Sequence, residues 1–274
     1  MSSARKANWS DLTLRIASAV VMSGLALASN WLGGPIFVLF WFLAAVAVLC
    51  EWIFLIRAGA KDWPTAVAGA AFLAMATAFA FQGYPFSALL IIAGGAIVLG
   101  AVAITRPWPQ PLLTAGALLY AACVVLPVTL LRQDEPHGML AIFVLFAIVW
   151  GSDIMAYFTG RTLGGPKLCP SISPKKTWSG FIGGVVFGAL AAGLVGGSVV
   201  LILIGGLLAA VSQGGDLLES ALKRRFDAKD ASHLIPGHGG VMDRLDGFLA
   251  AALVALLVGF IHAGMHPALG FVAW

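Results

Sequence analysis

Nine apolar runs of membrane-spanning length dominate this chain and restrict its fold more than any other feature. A spanning helix needs about 20 mostly apolar residues. On that measure the runs lie near 14–32, 36–56, 64–82, 86–105, 111–131, 139–160, 179–196, 198–219 and 245–264. "GGP" at 33–35 splits the first two, "QGYP" at 82–85 the third and fourth, and "GGS" at 196–198 the seventh and eighth. The expected class is therefore all-α: a polytopic integral membrane protein of about nine transmembrane helices with a polar site at one face. Charged residues make up 10% of the chain, against about 25% in soluble domains. No soluble domain interrupts the series. Residues 1–274 read as a single polytopic membrane domain, with 1–150 as an N-terminal helical scaffold and 151–250 carrying two long polar loops.

The basic residues orient the series. With the N-terminus in the cytoplasm, the cytoplasmic segments hold Arg5, Lys6 and Arg15; Arg57 and Lys61; Arg106; Arg161, Lys167, Lys175 and Lys176; and Lys223, Arg224, Arg225, Lys229 and Arg244. Only Arg132 of the 16 Lys and Arg residues falls outside. Such asymmetry is the positive-inside pattern. It accounts for the net charge of +4 without nucleic-acid binding, and it favours nine spans over eight. One helix across 179–219 would put the last two basic clusters on opposite faces. The expected location is the cytoplasmic (inner) membrane, with the chemistry facing the cytoplasm. Trp9, Trp52, Trp63, Trp108, Trp178 and Trp274 sit near span ends and read as an interfacial aromatic belt. Cys50 and Cys123 lie in apolar runs and read as packing residues.

The acids gather at one depth. Asp153 lies about two turns from the cytoplasmic end of the sixth run. Asp216 and Glu219 close the eighth, and Asp243 and Asp246 open the ninth. Asp243 and Asp246 are spaced i, i+3, and Asp216, Glu219 and Ser220 are spaced i, i+3, i+4, so each set shares a helix face. Charged groups at this depth are costly and turn toward protein or water. Two such faces brought together would form an all-oxygen pocket of the kind Mg²⁺ takes, completed by water and substrate phosphate. Asp153, Asp216, Asp243 and Asp246 are thus the candidate metal ligands, and a second cation is left open. Lys176, Lys223, Arg224, Lys229 and Arg244 are candidates for neutralising phosphate. Arg225 reads as a lipid-headgroup contact. His238, in "PGHGG" beside the acids, is a further candidate catalytic residue, and its flanking glycines permit close backbone approach.

The stretch "SALKRRFDAKDASHLIPGHGGVMDRLD", 220–246, resembles the signature of the phosphatidate cytidylyltransferase (CDP-diacylglycerol synthase) family. Its fixed positions are met by Ser220, Lys223, Arg224, Lys229, Asp230, Ser232, Pro236, His238, Gly239, Gly240, Asp243, Arg244 and Asp246. Upstream, "SDIMAYFTGRTLGG" and "ISPKKTWSG" are similar to the family's second region, where Ser179 stands in place of the usual Glu. The resemblance covers about 150–247.

It implies a reaction, CTP plus phosphatidate giving CDP-diacylglycerol and pyrophosphate, with CTP, phosphatidate and membrane lipid as partners and a homodimer left open. It implies Mg²⁺ on Asp216, Asp243 and Asp246. It also implies phosphate contacts from Lys229, Arg244, Lys176, Lys223 and Arg224, and substrate binding at Ser220, Gly239 and Gly240. Phosphatidate already carries an oxyanion, so alignment and charge neutralisation are the main tasks. Two alternatives remain: a cytidylyltransferase for another lipid phosphate, such as an isoprenoid ether lipid, and a cation-coupled transporter. The transporter would place polar residues near the midplane. Here they stop at the cytoplasmic third.

Overall fold

A computed structural model of the protein describes residues 9–106 and 109–274; Arg5, Lys6 and Trp108 lie outside the described residues. The elements in order are α1 (Trp9–Leu32), α2 (Gly34–Ile56), α3 (Trp63–Phe81), α4 (Pro85–Ile104), α5 (Pro111–Gln133) and α6 (Gly138–Thr162). There follow β1 (Lys167–Cys169), β2 (Ser173–Thr177), α7 (Trp178–Gly196), α8 (Val199–Arg225), α9 (Met242–Ala263) and the short α10 (Pro267–Val272). Among the described residues, nine helices are long and apolar enough to cross a membrane. The fold class read from the sequence is the one observed.

The helix starts follow from local chemistry. Proline stands in the first turn of α2, α3, α4, α5 and α10, where its missing N–H costs nothing. Asp62, Thr177 and Ser198 cap α3, α7 and α8 by accepting the backbone N–H of Thr65, Gly180 and Val200.

Three features differ from the sequence reading. Helix α8 runs on through Lys223, Arg224 and Arg225, which were expected in a loop. Basic residues in a last helical turn are favoured by the macrodipole. Helix α9 starts at Met242, so both Asp243 and Asp246 are helical. The first of the two polar loops, between α6 and α7, contains an antiparallel hairpin, β1 on β2, pairing Lys167 with Thr177 and Cys169 with Ser173.

Helix α7 packs directly on α6 and α8. A Cβ at Gly184 would meet the Ser152 carbonyl and hydroxyl at 2.9 Å, and one at Gly188 the Ile148 carbonyl at 3.2 Å. Only glycine admits that approach, a common device between membrane helices. It brings the hairpin, continuous with α7, over the end of α6 that carries Asp153.

The core joins both halves of the chain. Trp41 on α2, Phe146 on α6 and Phe248 on α9 are buried and mutually stacked, with the Trp41 and Phe248 ring centroids 4.9 Å apart. Trp63, Trp178 and Trp274 are exposed near helix ends, as an interfacial belt requires. Trp52 is a correction. It is buried, lies 4.7 Å from the Tyr120 ring, and donates its indole N–H to the Leu113 carbonyl. A buried indole needs such an acceptor, and α5 supplies it inside the bundle.

Candidate active site

The ends of α6, α8 and α9 and the hairpin enclose a cavity of about 650 Å³. Its wall carries both signs of charge. Asp153 comes from α6, Lys175 and Lys176 from β2, Asp216 and Lys223 from α8, Asp230 from the loop, and Asp243, Arg244 and Asp246 from α9. The four aspartates named as metal candidates therefore converge, drawn from three helices.

They are not equivalent. Asp243 has its oxygens engaged. They accept the Lys223 ammonium at 2.5 Å, the Gly240 N–H at 2.7 Å and the Ala231 N–H at 3.0 Å. This carboxylate organises the loop between α8 and α9. Asp216 pairs with Lys176 at 2.6 Å and accepts the Ser220 hydroxyl at 3.3 Å, which ties the hairpin to α8. Asp246 accepts its neighbour Gly247 N–H at 2.8 Å. Asp153, Asp216 and Asp246 lie close enough to act on one another electrostatically, and of these three only Asp216 is in an ion pair among the described residues.

Among the described residues, no three His, Cys, Asp or Glu side chains form a ready-made ion site. Mg²⁺ asks for less: one or two protein carboxylates, with waters and substrate phosphates completing six positions. Asp153, Asp216 and Asp246 offer hard oxygen donors only, with more negative charge than their protein partners offset. That donor set fits Mg²⁺. Asp243, already bound by one ammonium and two backbone N–H groups, fits it less well.

The other expected residues divide. Lys176 and Arg244 face the cavity. Lys223 also reaches it but is held between Asp243 at 2.5 Å and the fully buried Glu219 at 2.6 Å, so its charge is already spent on protein. Lys229 is exposed on the loop, outside the cavity lining. Arg224 is exposed and donates to the Ala228 carbonyl at 3.1 Å. Ser220 acts on Asp216 rather than on open space. Gly239 has a φ of +83°, which a side chain rarely adopts, and a Cβ there would meet an Asp243 oxygen at 2.7 Å. His238 is hydrogen-bonded to Ser18 of α1, Nδ1 to Oγ 2.7 Å, with the tautomer unassigned. Partial burial, with the charges of Arg244 and Arg15 nearby, holds its imidazole below the ordinary value of 6.5, against a Pro236 carbonyl contact that raises it. Ser179, where Glu was expected from the resemblance, bonds the Gly164 carbonyl and the Thr177 hydroxyl. It fastens the hairpin to the end of α6 rather than adding an acid.

A profile of the cytidylyltransferase family matches residues 13–262. The chain belongs to the cytidylyltransferase family. A protein of Brucella abortus biovar 1 (strain 9-941) named phosphatidate cytidylyltransferase is 42% identical over 267 residues, covering 93% of this chain and 95% of its own. One of the same name from Bacillus subtilis (strain 168) is 40% identical over 126 residues, 43% of this chain and 47% of its own. Another, from Rickettsia bellii (strain RML369-C), is 32% identical over 185 residues, 61% and 79%.

The match extends well before residue 150, where the sequence reading had hydropathy alone. The first half of this cytidylyltransferase-family chain also reaches the signature loop. Glu51 of α2 bonds Ser232, Val241 and Met242, and Ser18 bonds His238. Neither was singled out from the sequence. For Glu51 a signal existed: it is the lone charged residue in the apolar α2, and such residues are functional candidates by default. Gln213, which lines the cavity and donates to the Phe181 carbonyl at 3.2 Å, was also missed.

Proposed function

We propose that this chain transfers the cytidylyl group of CTP to phosphatidate, giving CDP-diacylglycerol and pyrophosphate at the cytoplasmic face of the inner membrane. One observation carries the reading: Asp153, Asp216 and Asp246 and the cations Lys175, Lys176 and Arg244 line one cavity at the polar end of a membrane bundle. Its 650 Å³ is the size of an ordinary small-ligand site. The basic residues facing that end, and relatives named for this activity, support it further.

In this reading a phosphatidate oxygen attacks the α-phosphorus of CTP. The new P–O bond forms as the bond to the β-phosphate oxygen breaks, and the electron pair leaves with pyrophosphate. No general base is needed because the nucleophile is already an oxyanion. Asp153, Asp216 and Asp246 would hold Mg²⁺, which when bound supplies charge stabilisation for triphosphate oxygens. Arg244, Lys175 and Lys176 orient the two phosphorylated substrates and offset charge as it moves to the leaving group. Lys176 would exchange its bond to Asp216 for phosphate as the site fills. Ile154, Tyr157 and Phe158 are exposed on α6 beside Asp153, so the lipid tails can stay in the bilayer while the phosphate enters the cavity.

The test is pyrophosphate release by the purified chain in detergent with CTP, phosphatidate and Mg²⁺. Activity should require all three, and Asp216→Asn and Asp246→Asn should each remove it while the protein still purifies as a monodisperse species. Turnover above a tenth of wild type in either variant would refute the assignment of that ligand, and no CTP-dependent product from the wild type would refute the function.

A further inference from the structure

We propose that Glu51 is a positioning residue for cytidylyl transfer: a carboxylate from the N-terminal half that sets the conformation of the loop between α8 and α9. This rests on the function proposed above. A carboxylate inside a spanning helix is costly unless protein or water satisfies it. Glu51 is 5% exposed, so its environment must compensate.

The compensation comes from a segment some 190 residues away. Glu51 Oε1 accepts the Ser232 hydroxyl at 2.7 Å and the Val241 N–H at 2.9 Å, and Oε2 accepts the Met242 N–H at 2.7 Å. Val241 is the N-cap position of α9 and makes no side-chain cap of its own. An acidic group at a helix N-terminus is favoured by both hydrogen bonding and the macrodipole. The helix that presents Asp243, Arg244 and Asp246 to the cavity is therefore capped from another helix. Asp243 binds the N–H groups of Ala231 and Gly240; Glu51 binds the next two, Val241 and Met242. Together the two carboxylates tie the middle of the loop, at Ala231 and Ser232, to its exit into α9.

Gly240 is part of the same device. Its φ is not in the left-handed region, so torsion does not demand glycine there. Space does: a Cβ would sit 2.7–2.9 Å from the Glu51 carboxylate atoms. The second glycine of "HGG" lets the carboxylate approach the backbone. Glu51 is absent from the cavity wall, and so acts on the reaction only through the loop and α9.

The experiment compares Glu51→Gln, Glu51→Asp, Glu51→Ala, Gly240→Ala and the double variant Glu51→Ala/Gly240→Ala in the purified full chain. Glu51→Gln keeps the shape but turns an amide toward backbone donors, and should lower turnover about 10²-fold, the scale set by misplacing catalytic groups by about 1 Å. Affinity for CTP should change much less. Glu51→Asp, which keeps the carboxylate, should recover part of the loss. Trypsin cleavage after the exposed Lys229 should accelerate in Glu51→Gln and Glu51→Ala, because the loop opens locally more often. Gly240→Ala should be damaging alone and nearly silent in the Glu51→Ala background, where the carboxylate it would strike is gone. Turnover and cleavage unchanged in Glu51→Gln would overturn the proposal, as would equal damage by Gly240→Ala in both backgrounds. A wild type inactive on CTP and phosphatidate would count against the proposed function alone. The cleavage rates would then decide the part played by Glu51.

Discussion

Lys223 offers the sharpest separation between a residue that binds substrate and one that holds the site together. Its ammonium sits 2.5 Å from Asp243 and 2.6 Å from Glu219, and the three side chains are 11%, 4% and 0% exposed. Lys223→Ala would remove the cation that two buried acids share. Breaking a buried pair by removing one partner costs about 3–5 kcal/mol. For a chain of this size that corresponds to a fall in apparent melting temperature of roughly 10 °C, at about 2–4 °C per kcal/mol. Glu219→Gln is the contrasting perturbation. Replacing the fully buried acid by a neutral isostere of the same shape leaves Lys223 and Asp243 as a balanced one-to-one pair. Glu219→Gln should cost far less, and Glu219→Gln combined with Lys223→Ala should be less damaging than Lys223→Ala alone. Thermal unfolding in detergent, followed by intrinsic tryptophan fluorescence, measures all three. If Lys223→Ala melts like the wild type and loses only turnover, Lys223 is a substrate ligand and the account of the buried triad is wrong.

The remaining predictions concern the surface cations and the orientation. Arg244→Ala should lower turnover at saturating substrates by about 10²-fold or more if it stabilises transferred charge. Arg225→Ala should leave turnover near wild type; equal losses in steady-state assays would erase the distinction between site and surface. Lys229 is exposed outside the cavity, and Lys229→Ala should fall between the two. Leu234→Cys, in a background lacking Cys50, Cys123 and Cys169, should react with an impermeant thiol reagent only after the membrane is opened. Labelling in intact cells would place the cavity on the outer face, away from CTP.

The spans were legible because each is a long apolar run with few competing interpretations, and Pro or Gly marks most of the boundaries. The polar end was legible only as a collection of residue types. The i, i+3 spacing of Asp243 and Asp246 announces a shared helix face, but not that one carboxylate is taken up by Lys223 and backbone N–H groups while the other lies among acids. The final turn of α8 was hidden because "KRR" carries no apolar periodicity, and the hairpin because "SPKKT" lacks the alternation of a half-buried strand. The partners of Glu51 were invisible for a different reason. Two of its three donors are backbone N–H groups, which every residue but proline possesses, so nothing in the local sequence around 241–242 announces that they await an acid from α2.

The order of residues in "DRLDGF", 243–248, links the chemistry to the bilayer. Asp246 must sit at a fixed height to meet Asp153 and Asp216, yet hydrophobic matching to the bilayer holds a spanning helix only loosely, at fractions of a kcal/mol per Å. Phe248, two residues on, holds it more firmly. It is 3% exposed and lies 4.9 Å from the Trp41 ring at 14° and 5.5 Å from the Phe146 ring at 28°. A slip of α9 by one turn would move Asp246 by about 5.4 Å and would also pull Phe248 out of both stacks. At the helix start, Glu51 opposes the same slip by holding Val241 and Met242. Trp41 and Glu51 both belong to α2, so one helix of the first half fixes α9 at two heights, by packing in the hydrocarbon and by hydrogen bonding at the polar end. The acids precede a greasy helix because the greasy part sets the position at which they can work.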